Sequence, residues 1–197
     1  MSSFRDPIRR INLFGGPGVG KSITAAHVYH TVSIAGYDIQ LVQEYVKSWA
    51  YEKRAISSYD QFYLFAKQLR KQDLLLKNDV ALVVTDSPLH MSVCYSKKHP
   101  FPGCEHIHYL AKYFDEQYGS LNFFLSREGM EYKQNGRYEN EAEAIDIDIM
   151  ILEYLDANNI PYHKIESYNA KNVAGKVFSA LEYQRETLDK EKPLSCL

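Results

Sequence analysis

Residues 15–22, with the sequence GGPGVGKS, combine the residue types and the spacing that phosphate binding requires. They fit the pattern G-x-x-x-x-G-K-[ST], with Gly15, Gly20, Lys21 and Ser22 in register. The glycines allow successive backbone N–H groups to turn toward a phosphate, while Lys21 supplies a cation and Ser22 a hydroxyl for Mg²⁺. The pattern predicts that a nucleoside triphosphate, with ATP as the expected one, binds Gly15, Gly16, Pro17, Gly18, Val19, Gly20, Lys21, Ser22 and Ile23.

Two carboxylates directly follow two other predicted strands. Asp86 follows the apolar run VALVVT, where it could complete a Mg²⁺ shell with Ser22, although a turn-capping aspartate before Pro88 is the alternative. Glu44 ends a strand in VQEYVKSW, and a carboxylate there could accept a proton from an acceptor hydroxyl. A surface ion pair is the alternative for Glu44.

A polar segment at about residues 126–140 follows the fourth predicted strand and contributes Arg127, Lys133 and Arg137. We interpret it as a mobile lid loop whose arginines close over transferring phosphates, because cations stabilise the charge that develops there. The alternative is an ordinary solvated loop.

Two further groups of residues are less specific. Zinc-binding residue types cluster at His90, Cys94, His99, Cys104, His106 and His108, but their spacing matches no common zinc pattern, so metal binding at residues 90–108 stays open. Tyrosines are numerous, and those that flank the presumed acceptor side, where they could stack on a base, are Tyr45, Tyr59 and Tyr63. Packing is the alternative for each tyrosine.

The elements that must position these residues alternate between short apolar runs and longer helical stretches, which is typical of a parallel α/β sheet. Strands are predicted at 11–14, 38–43, 80–85, 121–125 and 160–165. Helices are predicted at 20–35, 57–77, 105–118, after Asn140 and at 169–188, with a loop-rich stretch at 90–104 and a frayed tail from about 189. We therefore expect a single three-layer α/β domain over residues 1–197.

Composition excludes several classes of protein. The 197-residue chain carries 23 Lys and Arg against 25 Asp and Glu, so no global basic field is available to package nucleic acid. Three cysteines without a CxxC motif suit a reducing compartment, and neither a secretory signal nor a membrane-spanning run is evident. We expect a cytoplasmic protein that does not associate with membranes.

Several segments together resemble the small P-loop kinases of bacteriophage genomes, among them kinases of 5-hydroxymethyluracil in phage DNA. The segments are INLFGGPGVGKS, QEYVKSWAYE, DQFYLFAKQLR, VVTDSP, LNFFLSR, QNGRYENEAEA and NIPYH. The chain is similar, more distantly, to NadR-type ribosylnicotinamide kinase domains and to deoxynucleoside kinases. The resemblance covers about residues 10–165, and it implies host cytoplasm as the location if the chain is phage-encoded.

This resemblance implies a five-stranded parallel sheet in the order 2-3-1-4-5, as in nucleoside monophosphate kinases. By analogy with deoxynucleoside kinases, Glu44 would be the general base and Gln68 would read the acceptor base. Asp86 matches the acidic position after the third strand, and both lid arginines match the family's lid. One departure is that Ser87 stands where deoxynucleoside kinases carry an arginine. The lid arginines would then have to supply that cation.

The leading hypothesis is a kinase that moves the γ-phosphoryl group of ATP to a hydroxyl of a nucleoside-type acceptor, with 5-hydroxymethyluracil in phage DNA as the best specific candidate. The predicted catalytic residues are Lys21, Glu44, Asp86, Arg127 and Arg137; the predicted acceptor-binding residues are Glu44, Tyr63 and Gln68; and the predicted Mg²⁺ ligands are Ser22 and Asp86. Alternatives are a kinase of a free nucleoside, deoxynucleotide or nicotinamide riboside, and a P-loop ATPase switch.

Overall fold

A computed structural model describes residues 7–57, 59–129, 131–133, 136–166 and 169–191. Its strands are β1 (Ile8–Phe14), β2 (Ile39–Val42), β3 (Leu82–Thr85), β4 (Gly119–Ser126) and β5 (His163–Glu166). Its helices are α1 (Lys21–Ile34), α2 (Lys47–Tyr51), α3 (Asp60–Lys77), α4 (Leu89–Lys98), α5 (Glu105–Gln117), α6 (Glu141–Ala157) and α7 (Ala170–Glu191). The end of the predicted tail and parts of the predicted lid lie outside the described residues.

The five strands form one sheet in the order β2-β3-β1-β4-β5, and every neighbouring pair is parallel. This confirms the predicted fold class and strand order. Because all strands run the same way, the residues that follow them meet at one edge of the sheet. That edge carries the phosphate-binding pattern after β1, Glu44 after β2, Asp86 after β3 and Arg127 after β4.

Alternating side chains divide the core into two halves, one on each face of the sheet. In β4, Phe123 and Leu125 pack with α1 and α7, whereas Phe124 between them packs with the helices of the opposite face. That face holds α3, α4, α5 and α6. The period of two explains how short apolar strands, buried on both faces, create the predicted three layers.

The loop-rich stretch predicted at 90–104 is wrong over most of its length, because α4 (Leu89–Lys98) is a helix. Its residues include His, Ser, Val, Cys and Tyr, all of which have modest helix propensity, and they give no clear amphipathic pattern. The helix is buried nearly all round between its neighbours, so tertiary packing stabilises it. Pro100 and Pro102 lie beyond its end. The predicted helix after Asn140 is confirmed, with a capping box between Asn140 and Glu143.

No helix in the described ranges is long and apolar enough to cross a bilayer.

A buried charged network ties β1 to the helices on one face. The Arg10 guanidinium, almost fully buried, donates to Asp115 Oδ1 at 2.6 Å and to the Tyr118 carbonyl oxygen. The second oxygen of Asp115 lies 2.6 Å from His90 Nε2, and His90 Nδ1 lies 2.6 Å from the Tyr154 hydroxyl. Burial alone would raise the pKa of Asp115, but hydrogen bonds and charge from His90 and Arg10 outweigh it and lower that pKa.

We expect Asp115→Asn to lower the free energy of unfolding by about 3 kcal/mol near neutral pH, because it leaves the buried Arg10 without its counter-charge. A carboxyl whose folded pKa is depressed stabilises the fold above its unfolded pKa, and that contribution is lost as the pH falls through the folded pKa. The difference between wild type and variant should therefore shrink on acidification. Urea unfolding across a pH series measures it, with the exposed Glu116→Gln as control; a difference independent of pH would contradict the account.

Candidate active site

The phosphate-binding pattern forms the loop between β1 and α1 in the structure. Gly18 and Gly20 adopt φ values of 90° and 81°, a left-handed region that side chains disfavour. No hydrogen bond joins the backbone N–H groups of residues 18–23 to another described residue, and Thr24 N–H is the first that donates within the helix. The loop therefore offers a row of free N–H donors at a helix N-terminus, which is an arrangement that binds anions.

Lys21 folds over this loop. Its Nζ donates to the carbonyl oxygens of Gly15 at 2.7 Å and Gly16 at 2.8 Å. Burial lowers the pKa of Lys21 from its ordinary value, and the carboxylates of Glu44, Asp86 and Asp148 partly oppose that shift. A bound anion at the loop would favour the charged ammonium in the same way.

Asp86 joins the loop to the next strand. Its Oδ2 accepts a hydrogen bond from Ser22 Oγ at 2.5 Å, and its Oδ1 accepts one from the backbone N–H of Glu44 at 2.8 Å. Asp86 is buried, and the two oxygen groups predicted to hold Mg²⁺ thus meet beside the free N–H donors. A hydroxyl and a carboxylate are hard oxygen donors, which suit Mg²⁺.

The backbone N–H of Glu44 donates to Asp86, and the residue lines a cavity together with Lys21 and Ser22. Burial raises the pKa of its carboxyl, whereas the nearby Lys21 lowers it, and burial is the larger effect. A carboxylate with a raised pKa is a better proton acceptor than an exposed one. The geometry therefore places a potential base next to a phosphate-binding loop.

One cavity of about 390 Å³ lies beside the loop and extends to α3 and α4. Its residues come from the loop, from the chain after β2, from α3, α4 and the segment before α6. They include Pro17, Gly18, Gly20, Lys21, Ser22, Ile23, Glu44, Val46, Lys47, Ala50, Ile56, Gln61, Leu64, Gln68, Ser87, Met91, Tyr95, Lys133, Arg137 and Glu139. The phosphate-binding loop and side chains of α3 and α4 thus share a single space, as a transfer between two bound molecules would require.

Gln68 reaches this cavity from α3 and is buried. Its Nε2 donates to Thr85 Oγ1 at 3.1 Å, and its Oε1 has no hydrogen-bond partner among the described residues. An unsatisfied buried amide oxygen is costly, so a ligand that donates to it would bind favourably. Gln68 thus lines the same cavity as the phosphate-binding loop, and its contact with an acceptor stays a prediction.

Tyr63 is not part of the cavity wall. Its ring stacks on Trp49 at a centroid distance of 6.0 Å, and its hydroxyl lies 3.2 Å from that of Tyr45. Of these three aromatic residues, Tyr45 lines the cavity, whereas Trp49 and Tyr63 do not. The structure therefore does not bring Tyr63 together with the other predicted site residues.

The two predicted lid arginines occupy different places. Arg127 is paired with Asp148 on α6, with 2.8 Å between Arg127 Nε and Asp148 Oδ2, so it is not a free cation. Arg137 lines the cavity, lies 5.3 Å from the centre of the Tyr132 ring, and has a buried Nη1 with no hydrogen-bond partner in the described part of the chain.

Sequence reasoning missed three residues at or near the site. Asp148 accepts from the loop N–H of Gly16, whereas Gln61 and Tyr95 line the cavity. Asp148 sits in a helix rich in carboxylates, so nothing in the local pattern distinguishes it. Tyr95 was missed because residues 90–104 were predicted to be loop-rich, whereas this part of the stretch is helical.

The histidines and cysteines of residues 90–108 do not come together as a metal site. Among the described residues, no group of three or more His, Cys, Asp or Glu side chains has a metal-binding arrangement. His90 is instead engaged in the buried network of Asp115 and Tyr154.

A family model described as an AAA domain matches residues 10–172. No curated protein matches the chain significantly. Among solved structures, NadR protein in complex with NR aligns with a TM-score of 0.63 and 12% identity over 85% of this chain, and NadR protein in complex with NAD and AMP-PNP with a TM-score of 0.62 and 10% identity over 89%.

This chain spans 50% of the length of both NadR chains. A deoxyadenosine kinase from M. mycoides with the products dCMP and dCDP aligns with a TM-score of 0.53 and 16% identity, over 88% of this chain and 98% of the kinase. At these identities the likeness concerns the fold alone.

Proposed function

The chain belongs to the AAA domain family, and we propose that it transfers the γ-phosphoryl group of ATP to a hydroxyl of a nucleoside-type acceptor. The observation that carries the proposal is the contact of Asp86 with both Ser22 Oγ and Glu44 N–H. This contact supports the proposal because it brings together two oxygen groups that would hold Mg²⁺ and a candidate base that lines the cavity.

The nucleotide half of the site fits ATP and Mg²⁺. The free N–H groups of residues 18–23 and the Lys21 ammonium would hold the phosphates, and Ser22 and Asp86 would hold Mg²⁺. When bound, Mg²⁺ neutralises charge on the β- and γ-phosphate oxygens. Lys21 would exchange its two carbonyl partners for phosphate oxygens, which are stronger acceptors because they are charged.

The acceptor half would be organised by Glu44. Its carboxylate would take the proton of the acceptor hydroxyl while that oxygen bonds to the γ-phosphorus, and the bond from the γ-phosphorus to the bridging oxygen of ADP would break. Gln68 would receive a hydrogen bond from the acceptor through its free Oε1. Leu64 and Met91 line the same region and would pack on a flat ring.

Arg137 is our candidate for the cation that Ser87 does not supply. Its buried Nη1 has no hydrogen-bond partner within the described ranges, and the side chain lines the cavity. A buried guanidinium N–H without an acceptor costs free energy, and a phosphate oxygen would accept its hydrogen bond.

A free small acceptor is better supported than 5-hydroxymethyluracil in phage DNA, for which the comparisons offer no support. DNA would need free cations near the cavity, and Lys67, Arg70 and Lys71 share a face of α3. However, Lys67 Nζ lies over the Tyr63 ring at 5.2 Å, and Lys71 Nζ donates to the Gln43 carbonyl at 3.3 Å.

Labelled ATP incubated with a panel of acceptors tests the proposal: deoxynucleosides, deoxynucleoside monophosphates, nicotinamide riboside, and DNA with and without 5-hydroxymethyluracil. We expect label to appear on a nucleoside-type acceptor and ADP to form in equal amount. Rapid ADP formation without any acceptor, with no labelled product, would identify the P-loop ATPase switch instead.

Salt dependence distinguishes the two acceptor classes. Each neutralised phosphate steepens the dependence of log K on log salt by about 0.9 for duplex DNA, so three contacts give a slope of about −2 to −3. We expect little salt dependence of acceptor binding, because a free nucleoside lacks a phosphate backbone. A slope in the DNA range that becomes shallower by about one unit in Arg70→Ala, with the exposed Lys176→Ala as control, would favour DNA.

A further inference from the structure

Asp148 is a buried carboxylate in the middle of α6, and no step of the proposed transfer uses it. Both of its oxygens are occupied. Oδ1 accepts from the backbone N–H of Gly16 at 2.5 Å, and Oδ2 accepts from Arg127 Nε at 2.8 Å. This one side chain therefore joins α6 to the phosphate-binding loop and to the residue that follows β4.

The backbone N–H of Gly16 has a hydrogen-bond partner within the described part of the protein, unlike the N–H groups that follow it in the loop. Gly16 is buried, and its N–H donates to Asp148, whereas the N–H groups of residues 18–23 donate to no other described residue. The carbonyl oxygens of Gly15 and Gly16 are the two that hold Lys21 Nζ. Anchoring Gly16 thus fixes the start of the loop and leaves its phosphate-binding part open.

Arg127 makes further hydrogen bonds to the same loop and to α6. Its Nη2 donates to the Pro17 carbonyl at 2.8 Å and to the Ala144 carbonyl at 3.3 Å. The space around Gly16 is filled, since a methyl group there would lie 2.7 Å from both the Ala144 oxygen and Asp148 Oδ1. Loop, helix and guanidinium are packed as one unit.

We propose that Asp148 is a positioning residue for nucleotide binding: it holds the phosphate-binding loop in its binding shape through Gly16 and through Arg127. The inference rests on the proposed binding of ATP at this loop. A loop that is already ordered loses less conformational entropy when the phosphates bind, so ATP binds more tightly than it would to a loose loop.

Electrostatics alone would have the opposite effect. A carboxylate near the loop repels the phosphates of ATP, so removing its charge would tighten binding if charge were its only contribution. The sign of the change in ATP affinity therefore decides between positioning and simple repulsion.

The test measures the dissociation constant of a fluorescent ribose-labelled ATP for wild type, Asp148→Ala and Asp148→Asn. We expect Asp148→Ala to weaken binding at least tenfold. Asp148→Asn keeps an oxygen for the Gly16 N–H but loses the ion pair, so we expect an intermediate loss of about threefold. Asp146→Ala, which removes an exposed carboxylate from the same helix, should bind as wild type does.

Kinetics separates positioning from general damage to the fold. KM for ATP should rise in Asp148→Ala while KM for the acceptor stays within about twofold, because Glu44 and Gln68 are untouched. If Asp148→Ala does not fold, Asp148→Asn carries the test. Unchanged or tighter ATP binding by the folded variants would overturn the inference, and so would equal losses for both substrates. A wild type that binds no ATP would instead overturn the proposed function.

Discussion

Lys21→Ala should abolish phosphoryl transfer while the protein stays folded. The ammonium of Lys21 would stabilise charge on the transferring phosphoryl group, and alanine removes that charge altogether. Folding should tolerate the change, because the side chain gives up only its hydrogen bonds to the Gly15 and Gly16 carbonyl oxygens. Burial lowers the pKa of Lys21, which means that the folded protein disfavours the charged ammonium relative to the unfolded chain. Initial rates at saturating ATP and a thermal melt measure the two effects.

The matched control is Lys176→Ala, which removes an exposed lysine from α7, and we expect it to keep wild-type activity. If purified Lys21→Ala retained more than about a tenth of the rate, less than about 1.4 kcal/mol of transition-state stabilisation would depend on Lys21. The proposed role of the loop in catalysis would then be wrong.

Glu44→Gln should lower turnover by about 10²–10⁴-fold, which is the usual contribution of a general base, and should leave ATP affinity nearly unchanged. Glutamine has almost the same shape but cannot accept the proton of the acceptor hydroxyl. The backbone N–H of residue 44 would still donate to Asp86, so the oxygen pair near Ser22 should persist. Single-turnover rates and ATP titration measure the two quantities.

The pH profile gives the same prediction a second readout. A base works only when deprotonated, and burial raises the pKa of Glu44. The wild-type rate should therefore fall as the pH drops through this raised pKa, at a higher pH than an ordinary carboxyl would give. The acid limb should be absent in Glu44→Gln and intact in the exposed control Glu52→Gln. Equal losses of ATP affinity and rate would place Glu44 in a structural ion pair.

The strands of the sheet and the phosphate-binding loop could be predicted from local patterns in the sequence, whereas the strand order was implied by the family resemblance. The length of short apolar runs such as 80–85 favours strands, one of which is β3 (Leu82–Thr85), and their alternation with helical stretches favours a parallel sheet. The loop between β1 and α1 is a local motif, since its glycines, lysine and serine are adjacent in the chain. Asn140 and Glu143 likewise specify the start of α6 through contacts three residues apart.

Features that depend on contacts between distant residues could not be predicted from local sequence patterns. Helix α4 has weak local preference and exists because its neighbours bury it, so no pattern within residues 89–98 could reveal it. Tyr63 was expected in the site from its position along the chain, yet α3 directs it to Trp49 outside the cavity.

The same distinction applies to the charged groups of the site. Arg127 and Asp148 lie 21 residues apart in sequence, and only the packing of α6 against the loop pairs them. Asp86 and Ser22 are 64 residues apart, and the carboxyl edge of a parallel sheet brings them together. Strand ends could be located from the sequence because each strand is a local pattern. The partner of each carboxylate could not be predicted from the sequence, because burial and pairing are set by the whole fold.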